Sequence, residues 1–93
     1  MISRYIKEFG KKVKASRLQH GWSQFALATE MAFELDELGI FRNEEAVNRQ
    51  TISKYERGMT SISLERALIL ASILELDFED LIPRELATTV YGK

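Results

Sequence analysis

Cysteine is absent from this chain, and its 93 residues include one proline and five glycines. Without cysteine there is neither a disulfide framework nor a thiolate metal site, and the cytoplasm is the expected compartment. No run of about 18 apolar residues occurs, so no membrane span is expected. The first residues, Met1-Ile2-Ser3-Arg4-Tyr5-Ile6-Lys7-Glu8, carry charges at short intervals and no apolar h-region, so no secretory signal is expected. Signs of catalysis are also missing. There is no nucleophile-base pair, phosphate-cradling glycine loop or metal cluster, and Glu44-Glu45 are helix neighbours that do not face one another. The chain is therefore not expected to be an enzyme or to hold a cofactor. His20 is the single histidine and has no cysteine to share a metal with.

A basic excess is lacking too: the net charge is −1, which on the sum argues against a nucleic-acid partner. The distribution is uneven, however. Residues 1–24 hold six basic and one acidic side chain, residues 25–48 one and six, residues 49–66 four and two, and residues 67–93 two and five. Phosphate is attracted by the local field rather than by the sum, so two basic patches remain available.

What is present is a globular composition, 45% hydrophobic and 29% charged, of a length suited to one domain. With few helix breakers and apolar residues at 3–4 spacing, the pattern predicts an all-α domain of about five helices. Helix 1 is expected over roughly residues 4–19, with Ser3 as cap, an apolar stripe of Ile6, Phe9 and Val13, and Gly21 closing it. The run Lys7, Lys11, Lys12 and Lys14 lies mostly off that stripe and reads first as a solvated face. Ser23 caps helix 2, whose positions Leu27, Ala28, Met31, Leu35 and Leu38 run to Gly39. Trp22 and Phe25, beside its start, read as core residues rather than stacking platforms.

Helix 3 begins at Asn43, ahead of Glu44-Glu45, or at Asn48; the sequence leaves both open. Ser63 caps helix 4, with an apolar face of Leu64, Ala67, Leu68, Ala71 and Leu74. Asp77 starts a short helix 5 through Leu81, and Pro83 stops it. The domain is thus placed at residues 1–83, with residues 84–93 a C-terminal extension.

Asn48 to Gly58 is the stretch with chemistry to offer. Asn48 caps, Ile52 and Tyr55 hold the helix to a core, and Arg49, Gln50 and Thr51 can reach base edges or phosphates before Gly58 ends the helix.

Three blocks carry a family resemblance. They are Gly10-Lys11-Lys12-Val13 with Arg17, Gly21-Trp22-Ser23-Gln24 and Leu27-Ala28; Val47 to Gly58, ending Tyr55-Glu56-Arg57-Gly58; and Ser63-Leu64, Leu68, Leu70-Ala71, Leu74, Leu76 and Phe78-Glu79-Asp80-Leu81. Together they resemble the lambda-repressor-like, or XRE, helix-turn-helix family over roughly residues 8–82. The resemblance implies a five-helix domain that binds operator DNA with helix 3 in the major groove. It implies that Arg49, Gln50 and Lys54 read base edges, with Arg suited to guanine and Gln to adenine. Ser23 and Gln24 would bind phosphate at the start of helix 2, an expectation shared by helix-terminus physics. Asn48, Thr51, Arg57, Thr60 and Ser61 would hold the DNA backbone. Arg17 and Glu56 match positions that form an internal ion pair in several members.

Two departures stand out. Ile62 replaces a frequent proline, and about 14 extra residues near 32–46 separate helices that a short turn should join. This insert carries Glu34, Asp36, Glu37, Glu44 and Glu45 against Arg42, so it is expected to lengthen helix 2 and lead the acidic charge away from DNA. The expected function is a sequence-specific transcriptional regulator of the repressor type, acting as a homodimer because one such module buries little surface. The alternative is a protein-interaction module, such as an antitoxin or anti-repressor partner, using the insert and its Phe33, Ile40 and Phe41.

Overall fold

Gly21, Gly39 and Gly58 all adopt positive φ, at 74°, 69° and 68°, and each follows the end of a helix. A computed structural model describes residues 2–39 and 46–77, with side chains from Ile6 onward. Among these residues the architecture is all-α. The helices are α1 (Ile2–Gln19), α2 (Gln24–Glu37), α3 (Arg49–Glu56) and α4 (Leu64–Ile73). Three of the four starts are capped by a side chain that accepts an amide of the first turn: Ser23 from Ala26, Asn48 from Thr51 and Ser63 from Arg66. Helix 3 therefore begins at Asn48. The expected fifth helix from Asp77, the other start signal at Asn43, and Ile40 and Phe41 lie outside the described residues.

The core forms where α3 packs between α1 and α2 while α2 also packs on α4. Phe9 and Val13 come from α1, Leu27, Ala28, Met31 and Leu35 from α2, and Ile52 and Tyr55 from α3. The fourth helix adds Ala67, Ile69, Leu70 and Ala71, followed by Leu74. Trp22, Val47 and Ile62 pack half-buried against this cluster.

Four expectations about faces and ends are corrected. Ser3 does not cap α1, because the helix already begins at Ile2. Leu38 is 61% exposed, since it caps the C-terminus of α2 beyond the last inward turn. Phe25 is 67% exposed rather than core, and shares an outward face with Thr29, Ala32 and Phe33 at spacings of four, seven and eight residues. On α4, Leu64 and Leu68 point outward while Arg66, Ile69 and Leu70 are buried. All residues from Ala67 to Ala71 are apolar, so periodicity there could not choose between two faces that share Ala67, Ala71 and Leu74.

Candidate nucleic-acid interface

Helix α3 is held at both ends by its own sequence. At the start, Asn48 Oδ1 accepts the Thr51 amide at 3.0 Å, and the Asn48 amide donates to Thr51 Oγ1 at 3.2 Å. This reciprocal capping box satisfies two amides that the helix cannot. The Thr51 hydroxyl lies 3.1 Å from both Ala46 O and Asn48 Oδ1, and the residue is 5% exposed. Thr51 is therefore withdrawn from the expected phosphate contacts, because its one hydroxyl is buried and engaged in the cap. At the far end the Gly58 amide donates to Tyr55 O at 3.1 Å and the Met59 amide to Lys54 O at 2.9 Å, a pairing that needs the left-handed glycine.

These anchors decide which side chains face out. Ile52 and Tyr55 are buried, whereas Arg49, Gln50 and Arg57 are exposed and Ser53 and Lys54 half-buried. Arg49, Ser53 and Arg57 recur every fourth residue, with Gln50 and Lys54 on the adjoining row, so five polar side chains form one stripe. Ser53 was not singled out from sequence, although its place one turn after Arg49 is the signal that finds it. Arg57 Nε donates to Ser53 O at 3.4 Å, laying the guanidinium along the helix end. In the following loop Thr60 and Ser61 are exposed, and Thr60 Oγ1 donates to Ser61 O at 3.4 Å.

A buried clamp fixes this stripe relative to α1 and α2. Arg17 Nε donates to Glu56 Oε2 at 2.6 Å and Nη2 to Oε1 at 3.2 Å, a two-point pairing of fork and carboxylate. The same guanidinium donates from Nη1 to Trp22 O at 2.8 Å, so it also ties down the turn between α1 and α2. Gln24 Nε2 then donates to Glu56 Oε1 at 3.0 Å. One carboxylate thus gathers the end of α1, the start of α2 and the end of α3. Gln24 is half-buried beside exposed Ser23, whose hydroxyl accepts the Ala26 amide. Lys7, Lys11, Lys12 and Lys14 are all exposed.

Close backbone packing supports the clamp. A Cβ on Gly10 would stand 2.6 Å from Glu56 O and nearer still to Tyr55 O, so only glycine lets α1 approach the last turn of α3 this closely. On the other flank Arg66 is 8% exposed, and its Nη1 donates to Tyr55 Oη at 2.9 Å. Sequence reasoning missed Arg66. The signal was present in its position one turn before Leu70, on the side of α4 that turns inward. His20 is half-buried, with Nδ1 2.9 Å from Ser16 O and its ring 5.3 Å from that of Trp22.

A helix, α2, packed on a second, short and clamped helix, α3, whose polar side faces out is the arrangement of the helix-turn-helix class. The helix-turn-helix family profile matches residues 43–81. A protein of Pyrococcus horikoshii bearing the name "Putative HTH-type transcriptional regulatory protein" is 35% identical over 71 residues. That match takes in 76% of this chain and 18% of the relative, so the chain spans less than a fifth of the protein it resembles. No solved structure matches. Over residues 43–81 the chain is thus similar to the helix-turn-helix family. No described helix is long and apolar enough to cross a membrane.

Proposed function

We propose that this chain is a sequence-specific double-stranded DNA-binding regulator that inserts α3 into the major groove. The observation that carries the reading is the outward stripe of Arg49, Gln50, Ser53, Lys54 and Arg57, on a helix fixed at both ends and turned so that its apolar side is buried. Arg49, Gln50 and Lys54 are the base readers, the first two offering bidentate partners for guanine and adenine. Arg57 at the end of the stripe, and Ser23, Gln24, Asn48, Thr60 and Ser61 beside it, serve the DNA backbone, giving register rather than sequence. Gln24 Nε2 donates one hydrogen to Glu56 and keeps a second for phosphate, so one side chain can serve both clamp and backbone contact.

The regulator acts as a repressor-type homodimer on a two-fold site in the cytoplasm, because a single module of this size gives too little surface for strong specificity. Its domain is residues 1–83, of five helices, with residues 84–93 an extension and residues 32–46 an insert. The family profile begins matching at residue 43, which supports an interruption upstream of α3. A second reading, protein docking on the insert, is favoured by Phe33 and Leu38, 57% and 61% exposed beside Glu30, Glu34, Asp36 and Glu37.

Titration of Arg49→Ala and Gln50→Ala against randomised duplexes tests the main reading. Each should relax preference at one base position, by about 1–3 kcal/mol. Unchanged base preference in both variants removes α3 as the reader.

A further inference from the structure

Two helices of this chain turn unlike faces to solvent. On α2 the buried residues Leu27, Ala28, Met31 and Leu35 occupy one side, and Phe25 and Phe33, 67% and 57% exposed, stand on the other. Residues three and four apart are neighbours on a helix surface, so Phe33 is bordered by Thr29 and by the exposed carboxylates of Glu30, Asp36 and Glu37. The helix carries no basic side chain. An exposed aromatic ring walled by carboxylates repels phosphate and suits a surface that is cationic and partly apolar.

Helix α1 offers such a surface. Lys7, Lys11, Lys14 and Leu18 follow one another at steps of four, three and four residues, so they line one side of the helix, and all four are exposed. Lysine stems can lie along apolar rings while their ammonium groups reach the carboxylates at the edge. At about 1.5 Å per residue, the stripe from Lys7 to Leu18 is roughly 16 Å long and that from Phe25 to Glu37 roughly 18 Å. The two therefore match in length as well as in charge. They do not meet within one copy: among the described residues no ion pair joins α1 to α2, and both helices turn their inner sides to α3.

We infer that α1 of one copy docks on the Phe25 and Phe33 face of α2 in a second copy, and the reverse, giving a two-fold pair. One chain that holds both halves of a complementary contact has what an isologous interface requires, because the contact is made twice and then closes. This docking rests on the homodimer reading and supplies its surface.

Sedimentation equilibrium of the full chain without DNA reads the dissociation constant of the pair. Phe33→Ser should raise it about tenfold or more, since the burial of an aromatic side chain is lost. Two charge-exchange variants give the sharper result. Lys11→Glu with Lys14→Glu, and Glu30→Lys with Glu37→Lys, should each be monomeric alone. Mixed in equal amounts they should form dimers again, because in the mixed pair both contacts join opposite charges. Every substituted position is exposed, and each variant is first shown to melt cooperatively.

A charge variant that stays dimeric alone, or a mixture that stays monomeric, overturns the docking. A dimeric parent whose affinity ignores all these changes keeps the homodimer reading and overturns this surface only. A parent that is monomeric at high concentration overturns the docking and leaves the face to a different protein, and the number of copies then bound per duplex decides the homodimer reading separately. Assemblies growing beyond two copies also overturn it, because a two-fold contact closes.

Discussion

Replacing Gly10 with alanine sets two effects of known sign against each other. Gly10 lies inside α1, and in a helix interior alanine is favoured over glycine by about 1 kcal/mol. Against this, the new methyl would stand 2.6 Å from Glu56 O and closer still to Tyr55 O. Both are main-chain atoms in the last turn of α3 and cannot rotate away. Restoring ordinary contact requires α1 to back off by roughly 1 Å, and close-packed interiors resist such shifts. Overpacking of this kind costs about 1–3 kcal/mol.

The displacement also propagates. Arg17 sits two turns further along α1, and its 2.6 Å contact with Glu56 depends on the same approach of the two helices. Loosening that pair adds part of the roughly 3–5 kcal/mol that a stranded buried charge costs. We expect a net destabilisation of about 1–3 kcal/mol, a fall in Tm of roughly 5–20 °C for a domain of this length. Thermal melting followed by far-UV circular dichroism measures it. Ala15→Gly, at an exposed position of the same helix, serves as the control and should lose about 1 kcal/mol from propensity alone. A Gly10→Ala protein melting at or above the parental temperature would refute the close approach of α1 to α3.

Arg17→Ala should cost roughly 3–5 kcal/mol by stranding Glu56, whereas Arg17→Met combined with Glu56→Met should cost less than the single change; urea unfolding of the three proteins measures both, and equal losses would show that the pair is not a unit. Asn48→Ala should lower stability by about 1 kcal/mol with an unchanged m-value, because it removes one acceptor from the capping box of α3. An unaltered urea midpoint would mean that the cap contributes nothing.

Much of the scaffold was legible because its signals are local. Ser23, Asn48 and Ser63 each combine a short polar side chain with the start of an apolar rhythm, and capping chemistry needs nothing more distant. Arg17 and Glu56, 39 residues apart, were suggested by the family resemblance rather than by spacing, and the structure gives their contact as a two-point pair. What escaped depends on the tertiary surroundings. The inward face of α4 could not be read where five consecutive residues are apolar. Thr51 looks the same in sequence whether its hydroxyl meets a phosphate or closes a cap. Gly10 gave no hint that a neighbouring backbone lies against it, and Arg66 gave none that Tyr55 receives it.

The tethers of α3 bear on how the molecule tolerates change. Ala46, Asn48 and Thr51 bind among themselves, Val47 packs on the core, and Gly10 and Glu56 set the other end. Aim is thus established from Ala46 onward. A change at any one of these tethers would therefore re-aim the whole stripe at once, so the molecule offers a way to retune a sequence reader without touching an outward-facing side chain.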